Sequence, residues 1–122
     1  MANRVLVVDD DPSMLAVLQQ LLGEEGFEVI YALDGREALN EITKHEPDLV
    51  VTDIMMPRLD GLAFAQKLRE QGHKTPVVLM SAVYDDVDLP GVRFIPKPFD
   101  IDQFVQVVHR AVSDEASAKR QA

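Results

Sequence analysis

The chain of 122 residues contains no cysteine, so disulfides and thiolate metal sites are excluded. Their absence fits a reducing compartment. Basic residues are scarce: 12 Lys and Arg stand against 21 Asp and Glu, for a net charge of −9. A nucleic-acid surface needs a basic patch to neutralise phosphates, so that class of partner is not expected. No apolar run approaches the roughly 20 residues of a membrane span. The opening Met1-Ala2-Asn3-Arg4 lacks the apolar stretch of a signal peptide. The expectation is a cytoplasmic chain with no membrane partner. Neither an internal repeat nor a linker marks a second domain, and the length suits one core.

What is present is a set of short apolar runs, several of them ending in acids. Val5-Leu6-Val7-Val8 runs into Asp9-Asp10-Asp11, and Leu49-Val50-Val51-Thr52 into Asp53. Continuous runs of this kind suit central parallel strands covered on both faces. Strands are expected over residues 4–8, 27–32, 48–53, 76–81 and 92–95. Between them lie helical spacings, opened by Asp11 with Pro12 in the first turn, by the capping box Asp34-Gly35-Arg36-Glu37, and by Asp60-Gly61. Gly26 and Gly72 close two of the helices. Asp100 caps a last helix whose buried stripe is Ile101, Phe104, Val105, Val108 and Ala111. Residues 114–122 read as a polar, frayed tail, which leaves 1–113 as the folded unit.

Alternating strands and helices mean a parallel sheet with helices on both faces. Right-handed crossovers leave few topologies, and the expectation is a doubly wound, flavodoxin-like α/β fold with strand order 2-1-3-4-5. In that order Asp9, Asp10 and Asp53 fall together at the carboxyl edge, where open α/β sheets place their ligands. Ser81 and Lys97 follow the fourth and fifth strands to the same edge. Clustered carboxylates repel one another unless a cation neutralises them. An oxygen-only donor set suits a hard ion, and magnesium is the best match. A magnesium beside a carboxylate and a lysine suggests phosphoryl transfer onto the carboxylate.

Val-Val-Asp-Asp after the first strand, Thr-Asp-Ile-Met-Met-Pro at the third, Met-Ser-Ala at the fourth and Pro-Lys-Pro-Phe at the fifth resemble the receiver domain of two-component response regulators. The resemblance runs from residue 4 to about 112. It implies that Asp53 accepts a phosphoryl group from a histidine kinase or histidine phosphotransfer protein. It implies that Asp9, Asp10, Asp53 and the backbone carbonyl of Met55 hold Mg2+. Ser81 and Lys97 would then contact phosphoryl oxygens, and the Lys97–Pro98 bond would be cis. Such a chain is a signalling phosphoacceptor and not an enzyme in its own right, acting as a stand-alone receiver or as a piece of a longer regulator or hybrid kinase. A downstream protein partner is expected on the fifth strand and last helix, with Val107 a contact opposite the buried stripe.

Two departures from the family are visible. Phe94 stands where a switching tyrosine is common, so Ser81 and Phe94 form the expected switch pair without a hydroxyl on the ring. Residues 82–91 are short for a parallel crossover, and Asp85, Asp86, Asp88 and Pro90 disfavour a helix. The usual fourth helix is therefore expected to be short or missing. Met55 and Val83 are apolar where the family borders the path of the hydrolytic water, which predicts a long-lived phosphoryl group. Two alternatives stay open at this level. One is an aspartate-nucleophile phosphohydrolase of the haloacid dehalogenase type, using Asp9-Asp10-Asp11. The other is a pseudo-receiver that binds partners without phosphorylation. His45, His73 and His109 read as surface residues, with no metal-ligand spacing between them and nothing near His109 to orient it.

Overall fold

The computed structural model describes residues 3–53, 61–81, 91–97 and 99–121, with side chains described up to residue 113 apart from Ser81. Five strands, β1 (Arg4–Val8), β2 (Glu28–Ala32), β3 (Leu49–Asp53), β4 (Val77–Ser81) and β5 (Val92–Pro96), form one sheet in the order β2-β1-β3-β4-β5. Every neighbouring pair is parallel. The described helices are α1 (Pro12–Glu24), α2 (Gly35–His45), α3 (Gly61–Glu70) and α4 (Ile101–Gln121). This is the doubly wound fold expected from the alternation of strands and helices. The expected short or missing helix between β4 and β5 falls on residues 82–90, outside the described residues.

The sheet is covered on both faces, which explains why its central strands are apolar throughout. Val5, Val7, Val51, Val78, Met80 and Ile95 pack against α1 and α4 through Leu15, Leu18, Leu22, Phe104 and Val108. On the opposite face Leu6, Val8, Val50, Val77 and Leu79 meet α2 and α3 through Ala38, Ile42, Phe64 and Leu68. The period-2 alternation along each strand sorts these side chains between the two layers.

The caps follow the expected chemistry. Asp11 Oδ1 accepts from the Ser13 amide at 2.9 Å and Pro12 opens α1. Asp34 Oδ1 accepts from the Glu37 amide at 2.9 Å, while Glu37 Oε2 accepts from Leu33 N at 3.3 Å, one residue before the cap. Asp100 Oδ1 accepts from Gln103 N at 2.6 Å. The expected cap Asp60 lies outside the described residues.

Ile101, expected in the buried stripe of α4, is 58% exposed. α4 itself runs through Gln121. Glu115-Ala116-Ser117-Ala118-Lys119-Arg120 consists largely of strong helix formers, so local propensity carries the backbone on. Val107 is half-buried against the core shared by α1 and α4, not opposite it. A helix laid across a sheet buries a broad stripe, and Val105, Val107 and Val112 flank the fully buried Phe104, Val108 and Ala111.

At the end of α2, Glu46 is left-handed with φ 47°, the one non-glycine residue with positive φ among the described residues. A side chain in that region costs about 1–2 kcal/mol. Glu46→Gly is therefore expected to raise stability by roughly 0.5 kcal/mol or more, after the entropy glycine adds to the unfolded chain. Glu46→Val should lower it. Urea midpoints at constant slope would measure both.

Candidate functional site

The carboxyl ends of the central strands converge as the fold requires. Val8 pairs with Thr52, Asp53 with Met80 and Ser81 with Pro96, so the residues that follow these strands share one edge. The Asp9 amide donates to Ala32 O at 3.1 Å, which extends the β1–β2 ladder by one residue and fixes where its side chain starts. Asp9 is 2% exposed. Its Oδ1 accepts from the Asp11 amide at 2.9 Å. Its Oδ2 is buried and has no hydrogen-bond partner among the described residues. Asp9 therefore serves as a local loop cap through one oxygen and presents an orphaned acceptor through the other.

Asp53 ends β3 half-buried, and Lys97 Nζ lies 2.8 Å from its Oδ2. A charge-assisted bond at this length, with both groups largely withdrawn from solvent, is stronger than an exposed ion pair. Lys97 follows Pro96, the last residue of β5, across the sheet from β1. Thr52, buried beside Asp53, satisfies its hydroxyl on Asp53 O at 3.0 Å.

The electrostatics single out Asp9. Burial raises its pKa above the ordinary 3.8, against the Asp11 amide, which lowers it; Asp53 adds to the rise, Lys97 opposes it, and Asp10 raises it slightly further. A buried carboxylate with an empty acceptor and two acidic neighbours is the environment that a cation would relieve.

The acids gather less tightly than expected. Among the described residues no three His, Cys, Asp or Glu side chains stand close enough to hold a metal together. Asp10 is exposed, and Asp53 is drawn to Lys97. Magnesium needs only one or two protein carboxylates beside its waters, so the donor set still fits it through the orphaned Asp9 Oδ2. Met55, the Lys97–Pro98 bond and Val83 lie outside the described residues. Ser81 is placed at the edge by its backbone. Phe94 is half-buried in β5 against the α2/α3 core.

Several contacts carried little signal in the sequence. Lys97 lines a groove of about 550 Å³ together with Met14, Leu18, Phe99 and Ile101. Phe99 in turn stacks on Phe104, with centroids 5.3 Å apart and an interplanar angle of 19°. The motif Pro-Lys-Pro-Phe held Phe99 in plain view, but nothing local announced its partner. His109 is also better oriented than expected: its Nε2 sits 2.9 Å from Glu25 Oε1, and its ring lies 5.4 Å from that of Phe27. Glu25 is 84 positions away in sequence, so no local pattern announces the pair.

A family model for the response regulator receiver domain matches residues 5–109. The response regulator MprA of Mycolicibacterium vanbaalenii is 36% identical, in an alignment covering 100% of this chain and 57% of that protein. The alkaline phosphatase synthesis transcriptional regulatory protein PhoP of Bacillus subtilis is 37% identical over 81% of this chain and 44% of that protein. The chain thus spans about half the length of these relatives. Among solved structures, the signal receiver domain of a signal transduction histidine kinase from Syntrophus aciditrophicus superposes with a TM-score of 0.84 at 30% identity, covering 93% of this chain and 92% of that one.

The raised pKa of Asp9 sets a pH dependence. Between 3.8 and its raised value the folded state keeps a proton that the unfolded state has lost. Stability is therefore lost as pH rises from 3.8 through the folded pKa, and the deficit is complete above that pKa. Asp9→Asn keeps an oxygen for the Asp11 amide and removes the charge. It should stabilise the metal-free protein at pH 7 by about 1.4 kcal/mol per pKa unit relieved, with the gain shrinking towards pH 4. Asp10→Asn, at an exposed position, should change little. Thermal melts in chelator across this pH range would reveal the difference, and equal gains from both variants would contradict it.

Proposed function

Because the chain belongs to the response regulator receiver domain family, a family of signalling domains, we propose that Asp53 is its phosphoacceptor and that a histidine kinase or histidine phosphotransfer protein is the donor. The observation that carries this reading is the half-buried Asp53 at the carboxyl edge with Lys97 Nζ 2.8 Å from its carboxylate. An Asp53 carboxylate oxygen attacks phosphorus, the P–O bond forms as the P–N bond to the donor imidazole breaks, and the imidazole leaves with the bonding electron pair and takes up a proton. The Lys97 ammonium, already on the carboxylate, neutralises charge on the transferring oxygens. Ser81, at the end of β4, supplies a hydroxyl to the same group. Asp9 and Asp10, with Asp53 and the Met55 carbonyl, would hold Mg2+, which when bound would add to the neutralisation of the phosphoryl oxygens.

The unit that does this spans residues 1–113, works in the cytoplasm, and assists its own phosphorylation and dephosphorylation without turning over an external substrate. Among the described residues no helix is long and apolar enough to cross a membrane. Ser81 and Phe94 form the switch, and β5 with α4 carries a downstream protein partner. The hydrolase alternative loses its ground, because the receiver family accounts for residues 5–109 and Asp9, its nucleophile, is buried with one oxygen capping the Asp11 amide.

Acetyl phosphate with magnesium should add a single phosphoryl group to the wild-type chain and none to Asp53→Asn. Intact-mass spectrometry reads the difference, and a label that persists in the variant on Asp9 or Asp11 would restore the hydrolase. Magnesium alone should raise the wild-type Tm by mass action and raise that of Asp9→Asn far less.

A further inference from the structure

The Lys97–Asp53 contact asks much of a lysine. The ammonium sits on a four-carbon stem with many rotamers, and ordering it has an entropic cost. Lys97 lies just beyond the last residue of β5. Its side chain nonetheless reaches 2.8 Å from Asp53 Oδ2 and is largely withdrawn from solvent. The surroundings supply a reason. Lys97 shares the walls of its groove with Met14 and Leu18 of α1, with Phe99, and with Ile101 of α4. An aliphatic stem laid along an apolar wall loses the trajectories that would carry its head into water.

Phe99 is the element of that wall nearest Lys97 in the chain. It is held in turn: its ring stacks on Phe104, which is fully buried between the sheet and α1. Offset aromatic stacking of this kind contributes beyond area burial and fixes orientation as well as position. The loop that carries Lys97 out of β5 is thereby pinned to the first turn of α4, where Asp100 caps the helix through Gln103 N.

We infer that Phe99, clamped by Phe104, is the positioning residue for the Lys97 ammonium. Phe99 acts through Lys97 and not on the phosphoryl group. The inference rests on the phosphoacceptor reading for its consequence, but its geometry can be tested without that reading.

The test uses Phe99→Ala, which removes the wall, and Phe99→Tyr and Phe99→Leu, which keep its bulk. Phe104 is left intact, because a cavity there would threaten the fold. Two readouts are taken. The first is the side-chain ammonium resonance of Lys97 in ¹⁵N-labelled protein, with a Lys97→Met variant to identify it. A held ammonium exchanges slowly and is visible; a released one exchanges with water and is lost. The second is the rate of phosphorylation by acetyl phosphate with magnesium. Phe99→Ala should lose the resonance and slow phosphorylation by about tenfold or more, since misplacing a reacting group by about 1 Å is enough for such a loss. Phe99→Tyr and Phe99→Leu should restore both. An Ala variant that keeps the wild-type resonance and rate overturns the inference, as does a loss that neither conservative variant repairs. If the wild-type chain takes no phosphoryl group at all, the functional reading fails, and the ammonium resonance alone still decides the positioning.

Discussion

Holding Asp9 out of water at the end of β1 costs the fold free energy, and much of the site can be read as a response to that cost. The residue is tied in place twice, by its amide on Ala32 and by its Oδ1 on the Asp11 amide. Neither bond neutralises the carboxylate, and Oδ2 has no partner among the described residues. Asp53 stands close enough to make the charge harder to keep, while Lys97 makes it easier. A site built only for stability would put an apolar or amide side chain here. The retained acid is a reservoir of unfavourable electrostatics that a cation would relieve. Lys97 offsets part of the repulsion by taking Asp53, and among the described residues no three acids stand close enough to hold a metal together.

The fold turns this local problem into a shared one. The layer that packs α1 and α4 onto the sheet includes Val5 and Val7 of β1 and Ile95 of β5, the strands that deliver Asp9 and Lys97. The same layer holds Phe104, and through it Phe99. Any shift of Lys97 away from Asp53 must therefore be accommodated by the wall of the groove and by the first turn of α4. Close-packed layers do not deform continuously, so the residues after β5 and the first turn of α4 are held as one body. Farther along the same helix, His109 meets Glu25 and Phe27 and fastens α4 to the corner between α1 and β2. The helix is thus held at two stations, one near the site and one remote from it.

The architecture was legible because it rests on signals that are local and redundant. Apolar runs ending in acids, Asp and Pro at helix starts, and glycine at Gly26 with φ 89° each point the same way. The strand order followed from handedness rules, and with it the convergence of Asp9, Asp53, Ser81 and Lys97 on one edge. What the sequence did not disclose depends on side-chain burial and on contacts between distant segments. Asp9 and Asp10 look alike in the sequence, yet one is buried and the other exposed. The ladder extension at Asp9 N turns successive residues to opposite sides, and only the finished sheet shows which side is dry. Glu25 with His109, and the role of Phe99, were hidden for the same reason. Val107 was misplaced because helical periodicity gives the centre of a buried stripe but not its width, which depends on how the sheet curves beneath it.

A last consequence concerns β5 itself. Its side chains are divided between the two faces of the sheet, with Ile95 fully buried under α4 and Phe94 half-buried towards α3. Phe94 has no hydroxyl, so no hydrogen bond can hold it in one of two orientations, and its position is set by packing alone. Lys97 and Phe99, by contrast, are held by a charge-assisted bond and a ring stack. The Phe94 ring is therefore set by apolar contact, while the side chains that follow the strand are held by polar and aromatic partners.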